Sequence, residues 1–179
     1  QYFHHVDAFP RYVSRTHSLC DDLSRRQVLL ENLIDEERGP NHHPELWLRF
    51  AEGLGLERDE VTESQPFQQT QQLIDSFFEV ASSSVDEGEA GLFAYEYQVP
   101  EVAQSKIEGL QKFYGISEER AIEFFKVHLE ADVWHSQATA KHLDSLDENK
   151  TRRARAAAIK ISNALWTFLD GVDQKTQSV

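Results

Sequence analysis

The chain has 179 residues, of which 40% are hydrophobic and 27% are charged, as in a globular domain rather than a disordered segment. Its net charge of −13 argues against nucleic acid and anionic membranes as partners, because their phosphates would be repelled. Its one cysteine, Cys20, excludes an intrachain disulfide, and no apolar run reaches the roughly 18 residues of a membrane span, so we expect a cytoplasmic protein with a single domain over residues 1–179.

Apolar residues recur at helical spacing along nearly the whole chain, without the alternation typical of strands. In chain order, the first predicted helix covers residues 1–19, the second runs from a cap at Asp21 or Asp22 to a stop at Gly39-Pro40-Asn41, and the third runs from Pro44 to Gly53. The fourth begins at Pro66 and ends before a loop over residues 82–84. Three longer helices follow, over residues 87–114 with a kink at Pro100, residues 117–146 and residues 150–169. Because Gln1 already lies within an apolar-periodic stretch, one further helix is expected before it. The predicted fold is an all-α bundle of about seven helices, with the N-terminal helix expected to be missing from this chain.

The segment from His128 to His135 carries the strongest chemical signal. At about 100° per residue, His128, Asp132 and His135 lie within roughly 60° of one another on a helix, and Phe125 precedes them on the same stripe. Two imidazoles and a carboxylate thus project from an otherwise apolar face. This pattern favours a metal site, and its alternative is a set of hydrogen-bonded core or surface residues.

Glu96 is a second candidate, because it shares a helical stripe with apolar Leu92, Val99 and Ala103. A single glutamate on such a stripe is either a metal ligand or a salt-bridge partner. The stripe alone does not distinguish these two roles.

The third candidate segment runs from Asp35 to His43. By helical phase, Glu36 and Glu37 both lean toward the apolar face of their helix and Asp35 points away. The pattern leaves open which glutamate is a ligand, and whether His42 or His43 accompanies it. The alternative is a solvated acidic helix end followed by a loop.

Together the three segments predict a cation in the bundle. Three carboxylates converging in a core would repel one another and lose solvation unless positive charge compensated them. Two divalent ions would bring the total to a net charge of about +1. Carboxylates and imidazoles from facing helices are the ligands of helical di-iron and di-manganese proteins, although the ferritin-like Glu-x-x-His pairs are absent here.

With these residues in view, the sequence resembles the heme-oxygenase-like di-metal oxidases, and within them the group of the chlamydial death-domain-associating protein. That family is related in fold to the pyrroloquinoline-quinone synthase and thiaminase II types. The likeness covers nearly the whole chain and includes AFPRYVSRTHSLCDDL from residue 8, ENLIDEERGPNHHPELWLRFAEGLG from residue 31, LFAYEYQVPEVAQSKIEGL from residue 92 and HLEADVWHS from residue 128.

The resemblance implies a specific ligand set. The family pattern is a glutamate seven residues before a histidine, a mid-chain glutamate, and His-x3-Asp-x2-His. By position, the implied ligands are Glu36, His43, Glu96, His128, Asp132 and His135. The implied cofactors are two divalent ions, Fe(II) or else Mn, with O₂ as co-substrate.

The resemblance also implies a reaction, the formation of p-aminobenzoate for folate synthesis. In that group the ring is thought to derive from a tyrosine of the protein and the amino group from a lysine. The lysine position matches Lys106, which on sequence alone is an ordinary helix lysine. The matching tyrosine would lie upstream of Gln1.

The sequence therefore predicts an oxygen-dependent non-heme di-metal oxidase whose substrate is a small molecule or its own side chains, with a homodimer as a candidate assembly. One rival is oxidation of a small free substrate, such as an amino acid or a fatty acid. A second is a protein-interaction module whose acidic surface binds a basic partner. A third is a thiaminase-like hydrolase, which the two acids beside Cys20 disfavour because they would raise its pKa.

Overall fold

The computed structural model describes residues 1–129 and 131–177, without the side chains of residues 131 and 132. The described residues form helices joined by turns and include no strand, which confirms the all-α prediction. None of these helices is both long and apolar enough to cross a bilayer. The elements are α1 Tyr2–Ser18, α2 Leu23–Glu37, α3 His43–Gly53, α4 Arg58–Thr62, α5 Gln68–Ser83, α6 Val85–Glu96, α7 Val99–Gly109, a π-helical segment Leu110–Tyr114, α8 Glu119–His128, α9 Ala131–Asp144 and α10 Glu148–Thr176.

The helices enclose two hydrophobic clusters. The larger includes Tyr12, Phe77 and Ile161, from α1, α5 and α10, which are almost completely buried. The smaller includes Leu46 and Ile122, from α3 and α8. Helix α1 contributes to both clusters and packs against α2, α3, α5 and α6, so it connects the two parts of the bundle.

The predicted helix over residues 87–114 is interrupted. Helix α6 ends at Glu96, a two-residue turn follows, and α7 begins with Pro100 in its first turn. Proline suits that position because its missing N–H would have no intrahelical partner there, so Pro100 begins a helix instead of kinking one. The π-helical segment then ends at Gly115, whose φ of +67° favours glycine.

The predicted helix over residues 117–146 is likewise two helices. Helix α8 ends at His128, where the Leu129 N–H bonds to the carbonyl of Lys126, three residues back, and tightens the final turn. His135 lies on the following helix, α9. The prediction of one continuous helical face carrying both histidines is therefore wrong.

Smaller differences occur at other helix ends. Of the predicted loop over residues 82–84, only Ser84 lies outside a helix. Its Oγ caps α6 by accepting the Glu87 N–H at 3.3 Å, so α6 begins directly after it. Helix α10 extends beyond both predicted ends, and the Asp147 side chain caps it. The short helix α4 was not predicted.

Helices α3 and α8 approach closely at Gly53. A Cβ at this residue would lie 2.5 Å from the Ala121 Cβ, so glycine permits a spacing that alanine would not. Gly53 ends α3, whereas Ala121 lies near the start of α8. The two helices therefore run antiparallel, which brings His43 at the start of α3 together with His128 at the end of α8.

Candidate metal centre

Three ligand-type side chains from three helices meet inside the bundle. Glu36 near the end of α2, His43 at the start of α3 and His128 at the end of α8 are 6%, 5% and 4% exposed. One potential ligand atom of each lies within 4.8 Å of those of the other two. A carboxylate and two imidazoles at this spacing form a suitable partial ligand set for a divalent ion.

The turn between α2 and α3 determines which residues join this group. Glu36 and His43 are buried, whereas Glu37 is exposed. His42 instead caps α3, with its Nδ1 accepting the N–H of Glu45 at 3.3 Å. The structure thus brings Glu36 and His43 into the buried group and leaves their neighbours outside it.

The Glu36 and His43 side chains are in direct contact, with 2.9 Å between Glu36 Oε2 and His43 Nδ1. The turn that joins them is held from α3, where Arg49 donates to the Pro40 carbonyl at 2.9 Å. Gly39, with a φ of +79°, makes the change of direction possible. A glycine, a proline and an arginine therefore position this part of the site.

Glu96 approaches from the end of α6 and is 1% exposed. Its Oε1 accepts a hydrogen bond from Asn32 Nδ2 at 2.5 Å, and its buried Oε2 has no hydrogen-bond partner. Burial, reinforced by the nearby charge of Glu36, raises the pKa of Glu96 to about 8, although the Asn32 hydrogen bond opposes this shift. A nearby cation would stabilise the ionised form of this carboxyl.

His43 and His128, which lie next to each other in this group, are held in their neutral forms. Burial lowers the pKa of His43 to about 4 and that of His128 to about 3. Their ring centroids are 4.3 Å apart. His128 Nδ1 lies 2.5 Å from the Phe124 carbonyl, and as the donor to that oxygen it leaves Nε2 free to bind a metal.

His135 lies on α9 and is 3% exposed. It is close enough to His128 for its charge to contribute to the lowered pKa of that residue. Its Nε2 lies 3.2 Å from Asp35 Oδ2. Burial lowers the pKa of His135, and Asp35 opposes this effect. Asp35, which helical phase places away from the apolar face of α2, therefore borders the site.

Two predicted site residues are not placed in this buried group. The side chain of Asp132 lies outside the described residues. Lys106 is described, and its side chain is exposed on α7. Sequence reasoning also missed Asn32, whose signal was a polar side chain one helical turn before Glu36 on the buried face of α2.

The electrostatics of the group fit a divalent cation. Burial raises the pKa of Glu36 well above its ordinary value, and the nearby charges of Asp35 and Glu37 add to the shift. Ionising Glu36 beside Glu96 in this interior is costly unless positive charge compensates it. The unpartnered Glu96 Oε2 and the neutral imidazoles are suitable donors for such an ion.

The chain matches a family model described as "Iron-containing redox enzyme" over residues 1–167. It is 38% identical to a 4-aminobenzoate synthase of Nitrosomonas europaea, over 97% of this chain and 76% of that protein. It is 35% identical to a 4-aminobenzoate synthase of Chlamydia trachomatis, over 94% of this chain and 74% of that protein.

Solved structures show the same fold at lower sequence identity. A CADD-like protein of unknown function from Nostoc punctiforme superposes with a TM-score of 0.82, at 17% identity, over 98% of this chain and 79% of that one. A domain of unknown function with a heme oxygenase-like fold, from Shewanella denitrificans, gives 0.77 at 16% identity, over 98% of this chain and 75% of that one. The heme-oxygenase-like prediction is thus confirmed.

Proposed function

Because the chain belongs to the family of iron-containing redox enzymes, we propose that it is an oxygen-dependent di-iron oxidase that forms 4-aminobenzoate. The observation that carries this proposal is the buried group of Glu36, His43 and His128, found in a chain 38% identical to a protein named for that product. Carboxylate and imidazole donors from facing helices suit iron.

We propose that six residues hold the two ions. Glu36, His43 and His128 have donor atoms within 4.8 Å of one another and would serve one ion. Glu96 and His135, with Asp132 from the sequence pattern, would complete the place for the second. Bound iron would supply the capacity to bind O₂ and reduce it.

The protein residues prepare this site in two ways. Burial of Glu36, Glu96, His43, His128 and His135 keeps bulk water from the donor atoms, so charges there interact strongly. The hydrogen bonds from Asn32 to Glu96 and between His128 and the Phe124 carbonyl orient two donors before any ion binds.

For the amino group, we propose Lys106 as the donor, on the basis of the family resemblance. Its side chain is exposed on α7, so it must reorient or receive the substrate at the end of its long chain. Helix α7 begins just after Glu96 and packs against α8, which ends in His128. Lys106 therefore lies on an element directly connected to two proposed ligand-bearing helices.

The hydrolase alternative has less support in the structure. Cys20 is 2% exposed, and burial raises the pKa of its thiol. A nucleophilic cysteine requires the opposite shift, because the thiolate is the reactive form. Cys20 is also separate from the buried metal-ligand group, in the hydrophobic cluster with Tyr12 and Phe77.

The test is product formation from the full-length protein. Purified protein is loaded with Fe(II) without oxygen and then exposed to O₂, and the small-molecule fraction is analysed by mass spectrometry. We expect 4-aminobenzoate from the wild type and none from His128→Ala, which lacks one proposed ligand. Equal amounts from both proteins, or iron-dependent oxygen consumption without 4-aminobenzoate, would refute the proposed reaction.

A further inference from the structure

A second polar group, with buried carboxylates and partly buried partners, lies about two helical turns from the metal centre on α2, α6 and α9. Arg25 on α2 contacts Glu89 on α6, with 2.6 Å from Nη2 to Oε2 and 3.3 Å from Nε to Oε1. Its Nη2 also lies 2.8 Å from Asp86 Oδ1, and His142 Nδ1 on α9 lies 3.6 Å from Glu89 Oε1. We call Arg25, Asp86, Glu89 and His142 the Arg25 layer.

The Arg25 layer repeats the metal-centre positions at a spacing of seven residues. Arg25 precedes Asn32 by seven on α2, and Glu89 precedes Glu96 by seven on α6. Both cross-helix contacts, from Arg25 to Glu89 and from Asn32 to Glu96, join residues 64 apart in sequence. Helices α2 and α6 therefore keep the same register over two turns, roughly 10 Å.

Helix α9 carries the same spacing in the opposite direction. His142 contacts Glu89, while His135, seven residues earlier, lies beside the proposed metal ligands. Helix α9 packs against both α2 and α6. All three helices thus contribute to the Arg25 layer, α6 with two residues, and each also contributes to the metal centre or its hydrogen-bonded border.

The Arg25 layer has strong geometric requirements. The side chains of Glu89 and Asp86 are 1% and 6% exposed, so their carboxylates need compensating positive charge. Arg25 supplies it to both, and Lys150 Nζ, 3.5 Å from Asp86 Oδ2, adds to it at Asp86. A guanidinium that contacts both oxygens of one carboxylate fixes orientation as well as distance, which a lysine ammonium does not. An axial slip of one residue, about 1.5 Å, would separate these atoms.

We propose that Arg25 is a positioning residue that sets the axial register of α2, α6 and α9 and thereby aligns Glu36, Glu96 and His135. This inference rests on the proposed metal centre. Arg25 does not touch the metal ligands itself. It acts through Glu89, two helical turns away from Glu96 on α6.

The test uses cobalt(II) as the probe ion, with titrations followed by its visible absorption spectrum. The first variant, Arg25→Met/Asp86→Asn/Glu89→Gln, removes all three charges so that none remains buried without a partner. The second, Arg25→Lys, keeps the charge without the guanidinium geometry. The control, Lys160→Met, removes one lysine from an exposed ion pair with Glu79 on α5.

We expect the triple variant to fold by circular dichroism but to bind cobalt at least about tenfold more weakly, with an altered spectrum. Arg25→Lys should fall between it and the wild type, and Lys160→Met should match the wild type. If the variants only melt at lower temperature, with unchanged affinity and spectrum, the positioning role is overturned. Absence of cobalt binding by the wild type would overturn the metal centre itself, and this inference with it.

Discussion

Replacing Glu96 with glutamine is expected to stabilise the metal-free protein while removing one of the proposed metal ligands. Glu96 is 1% exposed, and burial raises its pKa from the ordinary 4.5 to about 8. Because the folded state holds this proton more tightly than the unfolded state, the contribution to stability is full below about pH 4.5 and is lost as pH rises toward 8. The Glu96→Gln variant removes this titration and so isolates its effect.

The size of the effect follows from the pKa difference. At pH 7 an unfolded Glu96 is ionised, about 2.5 pH units above its ordinary pKa, whereas the folded carboxyl still holds its proton. Each unit corresponds to about 1.4 kcal/mol, so the wild type is less stable at pH 7 than at low pH by about 3 kcal/mol. Glutamine keeps an Oε1 that can accept the Asn32 hydrogen bond. For a chain of this length, that gain would raise the melting temperature by roughly 6–12 °C.

The assay is thermal or urea unfolding of metal-free protein at pH 4.5 and pH 7, with Glu101→Gln as the exposed control. Glu96→Gln should be clearly more stable than the wild type at about pH 7 and similar to it at the lower pH. Fe(II) should raise the melting temperature of the variant less than that of the wild type. Equal stability of the two proteins at neutral pH would show that Glu96 carries no buried-charge cost and would refute the reasoning.

Three further variants test separate parts of the site. His128→Ala should lose most of the rise in melting temperature that Fe(II) produces in the wild type, because metal stabilises only the state that binds it; an unchanged rise would exclude His128 as a ligand. Lys106→Arg should keep folding and iron binding but yield no 4-aminobenzoate, and normal product would remove Lys106 from the mechanism. Gly53→Ala should lower the free energy of unfolding by about 1–3 kcal/mol in urea titrations, because the new methyl meets Ala121, and a neutral effect would contradict the tight α3–α8 contact.

Helical periodicity predicted most elements of this bundle, because apolar stripes, caps and glycines act locally. Asp22, one of the two predicted caps, caps α2, and the π-helical segment ends at Tyr114, the predicted end of the helix over residues 87–114. The breaks after Glu96 and His128 were missed because no strong breaker stands there: Pro100 follows the first at the start of a new helix, and the second has neither glycine nor proline.

The candidate site was partly predictable for a related reason. Ligand-type residues on apolar stripes can be read from one helix at a time, which identified Glu96 and His128. The choice of Glu36 over Glu37 came from the family resemblance, since both lean toward the same face of α2. Contacts between helices, such as that of Asn32 with Glu96 across 64 residues, depend on tertiary register and leave little trace in the sequence.

The central claim, a di-iron centre held by these residues, is tested most directly by anomalous diffraction at the iron edge. Crystals of the full-length protein would be grown and loaded with Fe(II) without oxygen. We predict two iron peaks inside the bundle, bound by Glu36, His43, Glu96, His128, Asp132 and His135. Iron located outside this group, or its absence from the interior of fully loaded crystals, would contradict the account.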